Sequence, residues 1–122
     1  DKVVAIDTHV VLIPSPAGPV PTPVPSPFNG VLVSDLSGTV FVDGASAAVV
    51  GSKARNVPPH LPAGGPFQKP PSNEAVIQGG SASVLIDGKG AARAGDPALT
   101  CNDPADAPLG SVIALGTVFV GD

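Results

Sequence analysis

The chain has 122 residues, including 15 Gly, 16 Pro, one Cys and four Phe as the only aromatics, and its formal net charge is −4. That length fits a single domain, 1–122, with a modest core; the acidic balance excludes a Lys/Arg-driven nucleic-acid binder, and the lone Cys excludes an internal disulfide. A chain 43% hydrophobic is too apolar for disorder, and with about a quarter of it Gly or Pro the expectation is a compact, turn-rich β protein.

In chain order, residues 2–6 read as a short apolar strand leading into Asp7, Thr8 and His9, and residues 10–13 continue as a β-branched run. Residues 14–27 then hold seven prolines in fourteen positions. Proline fixes φ and lacks an amide hydrogen, which excludes a helix or a central strand here. The expected form is an ordered, extended surface arm, with a polyproline linker or recognition ligand as the alternative. Residues 28–30 read as a turn, 31–33 as a strand and 35–38 as a second turn. A hairpin follows at 39–51, then a Pro/Gly-rich loop at 53–71 carrying His60. Residues 75–77 mirror 31–33, a second hairpin occupies 83–95, and a loop at 96–108 carries Cys101. Short strands at 111–114 and 117–120 finish the chain. Apolar residues at helical spacing are interrupted everywhere by Pro or Gly, so the fold class is all-β. No apolar run approaches the roughly 18 residues of a membrane span. The N-terminus lacks the shape of a signal peptide, and the expected site of synthesis is the bacterial cytoplasm.

The hairpins are copies of one unit. Asp43 matches Asp87 and Gly51 matches Gly95, both 44 residues apart, and residues 117–122 form a cut-short third copy. Each copy is a branched apolar run, an Asp-Gly pair and a small-apolar run, the pattern of a tight β-hairpin. One repeat rarely buries its own apolar face, so the three are expected to stack around a pseudo-threefold axis.

Aligning the loops by the small-apolar runs before them makes Asp7, Ser52 and Asp96 equivalents. Past each lies one good zinc ligand: His9, His60 and Cys101, the only two His and the only Cys of the chain. A lone loop His is ordinarily a solvated residue and a lone Cys a small buried hydrophobe, but one per repeat in matching loops points to a shared metal. Three loops crosslinked by one structural zinc gain folding free energy on the order of 10 kcal/mol. Three ligands leave a fourth position open, which a small metal-dependent hydrolase would need. Asp7, Asp103 and Asp106 are explained as well by turns and loop solubility, so no catalytic residue is assigned and the chain is read as a non-enzyme.

Residues 84–96, Val-Leu-Ile-Asp-Gly-Lys-Gly-Ala-Ala-Arg-Ala-Gly-Asp, resemble the repeat of PAAR proteins, named for Pro-Ala-Ala-Arg. Gly90 stands at the motif's Pro, followed by Ala91, Ala92 and Arg93. The first copy departs further, with Ser46, Ala47, Ala48 and Val49 in the motif and Ser52 for its Asp. The resemblance implies a cone that forms the metal-bearing tip of the trimeric VgrG-like spike in contractile injection machines, such as type VI secretion-like systems and phage-tail-like particles. It implies one tip per trimer, only transient contact with a target membrane, effectors as further passengers, and release within the particle. It also implies zinc, with iron as the alternative, held by three His and one Cys. His9, His60 and Cys101 match three of these. Ser26 holds the place of the remaining His, leaving the fourth ligand to water, Asp103 or another group. At the wide end Val40, Val42, Val84, Ile86, Val118 and Val120 are the expected spike contacts, with interior core as the competing assignment.

Overall fold

The computed structural model describes residues 2–42, 45–62, 64–103 and 105–113. Ten strands follow in order: β1 (Lys2–Ile13), β2 (Val20–Ser34), β3 (Phe41–Val42), β4 (Ala45–Ser46), β5 (Lys53–Asn56), β6 (Glu74–Ile77), β7 (Leu85–Ile86), β8 (Lys89–Gly90), β9 (Pro97–Thr100) and β10 (Ala107–Ile113). There is no helix among the described residues. Six strands close a barrel in the order β1-β10-β9-β6-β5-β2, each neighbouring pair antiparallel, while β3-β4 and β7-β8 form small separate hairpins. The expected all-β architecture is the one observed.

The barrel is three copies of a strand pair. Val3 lies opposite Gly30, Ala54 opposite Ala75 and Ala98 opposite Gly110; between pairs, Leu32 faces Ala54, Ile77 faces Ala98 and Val112 faces Val3. The 44-residue offset persists in the hydrogen bonds. Ser37 N donates to Ala47 O and Ser81 N to Ala91 O; Ala47 N donates to Val40 O and Ala91 N to Val84 O; Ser52 N donates to Val49 O and Asp96 N to Arg93 O. In the second copy the turn is Asp87 (φ 53°) and Gly88 (φ 80°), both in the left-handed region that a two-residue hairpin turn requires. Asp87 also accepts hydrogen bonds of 2.6 Å from Ser37 Oγ and Thr39 Oγ1 of the first copy, tying the two hairpins together; these bonds hold its carboxyl below the usual range. The third copy at 117–122, with Val118 and Val120, lies outside the described residues, as do Asp43, Gly44 and the side chain of Val42.

The core is thin. Val3, Phe28, Ala54, Ala75, Ile77, Ala98, Cys101 and Val112 form its buried cluster. At the level of Ala75, the matching positions on the other two pairs are glycines. A Cβ on Gly110 would come within 2.8 Å of Thr100 and 2.9 Å of Val3, and one on Gly30 within 2.5 Å of the Phe28 ring. So residues 28–30, expected to turn, instead continue β2: Phe28 and Gly30 point inward and Asn29 outward, in strand alternation.

β1 likewise runs unbroken through residues 7–9. Its odd residues Val3, Asp7, His9 and Val11 are buried, while Ile6 is 62% exposed. The odd residues also face β2. The even amides go elsewhere: Thr8 N donates to Asn102 Oδ1, Val10 N to Asp103 Oδ2 and Leu12 N to Pro66 O. Since Asp7 lies opposite Ser26 and His9 opposite Val24, the even residues of β2 complete this ladder. Pro21, Pro23, Pro25 and Pro27 therefore all turn their missing donors away from β1, towards a side where no strand pairs among the described residues. The proline arm is thus a strand, paired with β1 over its whole length but with β5 only from Gly30 onward. Past the core, six strands reduce to these two, giving the cone-like taper.

Candidate metal centre

The four buried side chains Asp7, His9, His60 and Cys101 meet where the barrel narrows, their donor atoms all within 4.8 Å of one another. β1 supplies Asp7 and His9 two residues apart on its inward face. His60 follows β5, and Cys101 immediately follows β9. Sγ of Cys101 is 3.6 Å from His9 Nε2 and 3.6 Å from Asp7 Oδ2, and His60 Nε2 is 3.2 Å from the same oxygen. Tetrahedral zinc binds such donors at about 2.0–2.3 Å, so donor separations of this size suit one enclosed ion.

A buried carboxylate is costly unless its oxygens are satisfied. Oδ1 of Asp7 accepts a 2.6 Å hydrogen bond from Thr100 Oγ1 and a 3.3 Å bond from Asn102 Nδ2, leaving Oδ2 to the cluster. His60 is set by a second network. Its backbone amide donates to Asn73 Oδ1 at 2.8 Å, Asn56 Nδ2 donates to the same oxygen at 3.2 Å, and Asn56 Nδ2 is 3.2 Å from His60 Nδ1. Oδ1 of Asn56 accepts from Asn29 N, which fixes the amide's orientation. His9 packs edge-on against Phe67, 5.7 Å between ring centres, and its Nδ1 is a buried nitrogen without a hydrogen-bond partner, 3.7 Å from Asp103 Oδ2.

Two imidazoles, a thiol and a carboxylate facing one point form a donor set that fits a metal ion. Burial, then the charge of His60, holds the His9 imidazole below its usual range against the pull of Asp103 and Asp7. Burial pushes the Cys101 thiol up to about 11, the Asn73 backbone pulling back and Asp7 adding to the push. Neutral imidazole is ready to donate to a cation; the thiol must lose its proton on binding. A cavity of 240 Å³, lined by Lys69, Ser72, Asp103 and Asp106 among others, reaches His9 and Cys101 from outside.

The loop alignment that paired Asp7 with Ser52 and Asp96 is corrected by the register. Val3, Ala54 and Ala98 are equivalent, so Ser52 and Asp96 lie two residues before their counterparts and Asp7 four after. Ser52 and Asp96 instead close the turns at the wide end: Val49 N donates to Ser52 Oγ and Arg93 N to Asp96 Oδ2, and Asp96 pairs with the Arg93 guanidinium at 3.0 Å. Asp103 is placed beside His9, and Asp7 stands in the cluster. Ser26 lies directly across the β1–β2 ladder from Asp7. Alternation in a continuous strand is the signal that would have found Asp7, since it shares a face with His9; taken as a loop after a short strand, the segment hides it.

The PAAR motif model matches residues 13–104. The chain belongs to the PAAR family. Within that match lie His60 and Cys101, while Asp7 and His9 precede it. Neither a curated protein nor a solved structure matches the chain. PAAR proteins are structural spike tips of type VI-like injection systems, which are secreted machinery, and not enzymes. In this PAAR chain the buried Asp/His/His/Cys cluster can hold a metal ion. No helix among the described residues is long and apolar enough to cross a membrane.

Proposed function

We propose that this chain is a zinc-stabilised tip that caps a trimeric VgrG-like spike, one copy per trimer, and sharpens it for puncture of a target membrane, with His9, His60, Cys101 and Asp7 as the ligands. The observation that carries this reading is the convergence of those four buried donors at the narrowing end of a three-fold repeated barrel in a PAAR protein. The donor set favours zinc over harder cations, since thiolate and imidazole outnumber oxygen. Asp7 supplies the fourth donor from the strand facing Ser26, so a carboxylate replaces the imidazole that the family resemblance places on β2.

At the opposite end, the β3 and β7 hairpins carry exposed apolar side chains suited to a β-structured trimer: Val40 is 36% exposed, Phe41 61%, Val84 38% and Leu85 60%, with Ile86 half-buried. Three quasi-equivalent repeats in one chain match three identical protomers.

Elemental analysis of purified protein should give one zinc per chain, and Cys101→Ser or His60→Ala should remove most of it. A trimeric spike protein should co-purify with the wild type, and Phe41→Asp with Leu85→Asp should abolish that association while leaving zinc in place. Full zinc occupancy in both ligand variants would remove the site, and spike binding untouched by the paired Asp substitutions would remove the docking face.

A further inference from the structure

We infer that Thr100, with Asn102, restricts Asp7 to a single donor oxygen and thereby sets the metal centre at four-coordinate, which makes Thr100 a specificity-determining residue of the site. This rests on the metal reading above.

A carboxylate has two equivalent oxygens and can bind a cation through one or both. The choice decides which ions fit: large, hard cations take six to eight oxygens, often from bidentate carboxylates, whereas structural zinc is closed at four. In this chain the two oxygens of Asp7 have divided roles. Oδ2 faces His60 Nε2 at 3.2 Å and Cys101 Sγ at 3.6 Å. Oδ1 is held by the Thr100 hydroxyl at 2.6 Å and the Asn102 amide at 3.3 Å. Thr100 and Asp7 are fully buried and Asn102 nearly so, which leaves water little access to these bonds. Asn102 is itself held, donating through Nδ2 to Thr100 O and accepting at Oδ1 from Thr8 N at 2.7 Å. Thr100 is the last residue of β9 and Asn102 follows Cys101, so the segment 100–102 delivers the thiol and restrains the carboxylate together. Loss of a partner that orients a metal ligand in this way commonly costs about 10- to 100-fold in metal affinity.

The test titrates metal-free full-length chain with Co²⁺ and reads visible absorption, with zinc affinity measured by competition. Wild type should show a thiolate-to-cobalt charge-transfer band and the intense ligand-field bands of four-coordinate cobalt. Thr100→Val should keep the charge-transfer band, because Cys101 remains, but lose ligand-field intensity as Oδ1 joins the metal, and zinc affinity should fall about 10- to 100-fold. Thr100→Ser, which keeps the hydroxyl, should restore both. Asn102→Ala removes the longer of the two bonds and should shift the spectrum the same way, which keeps the test open if Thr100→Val does not fold. Unchanged ligand-field bands in the variants, with wild-type cobalt bound, overturn the role of Thr100 alone. Absence of a charge-transfer band in the wild type overturns the metal reading itself.

Discussion

Asp7 and Ser26 face each other across the β1–β2 ladder, and in the function proposed above the Asp7 carboxylate takes the ligand place that the Ser26 hydroxyl does not fill. The neighbouring groups make testable statements about the metal-free protein. Because burial pushes the Cys101 thiol up to about 11, alkylation by iodoacetamide in chelator should be slow at neutral pH and keep accelerating beyond pH 9; a rate that levels off below pH 9 would contradict this. His9 titrates below its unfolded value of 6.5, so the unfolded chain binds its proton first as pH falls. Stability from His9 is therefore complete above about 6.5 and is lost as pH drops from there through the lowered folded value. The denaturation midpoint of metal-free protein should be lower at pH 5.5 than at pH 7.5, and flatter with pH in His9→Gln. His9, His60 and Cys101 were legible from the sequence because they are rare residue types spaced one per repeat. Asp7, Thr100, Asn56, Asn73 and Asn102 were not, since Asp, Thr and Asn are common in loops and only the fold distinguishes a restraining amide from a solvated one.

Among the elements, β2 best shows how local chemistry and register agree. Val20–Ser34 alternates proline with other residues at 21, 23, 25 and 27, and that alternation is itself a strand signal: only a period of two keeps every missing donor on one side. On sequence the proline content points to an extended surface arm; the spacing of the prolines fits a strand with one unpaired edge. The two can be separated by denaturation. Pro23→Ala should change stability by less than about 1 kcal/mol, since that side makes no ladder bond. Val24→Pro removes the amide facing His9 and should cost about 1–3 kcal/mol, with loss of metal. Equal effects from both substitutions would mean the register is wrong. In the second hairpin the Asp87-Gly88 turn has the left-handed conformation that an Asp-Gly pair favours, while the paired strands are shorter than the repeat unit, Leu85–Ile86 with Lys89–Gly90.

For the whole molecule, a six-stranded barrel lined by Ala, Gly and Val leaves little apolar area to hold it shut. Gly110→Val, placed against Thr100 and Val3, should destabilise by about 1–3 kcal/mol through overpacking. The larger effect is expected from the metal: chelation should lower the melting temperature far more than Gly110→Val does, because a structural zinc contributes on the order of 10 kcal/mol in small domains. Equal melting curves with and without chelator would show that the cluster is an ordinary polar core. The all-β class and the family were readable from the chain because Pro and Gly interrupt every apolar run and the motif recurs at a 44-residue spacing. That β1 is the partner of the proline-bearing strand, and that this pair outruns the other four strands, was not, because a one-dimensional pattern does not name a strand's neighbour. The row of alternate prolines also bears on how the molecule behaves in crowded storage. A rim offering carbonyls but no amide hydrogens cannot template an incoming chain, so the slender end should not seed cross-β fibrils however densely the protein is kept.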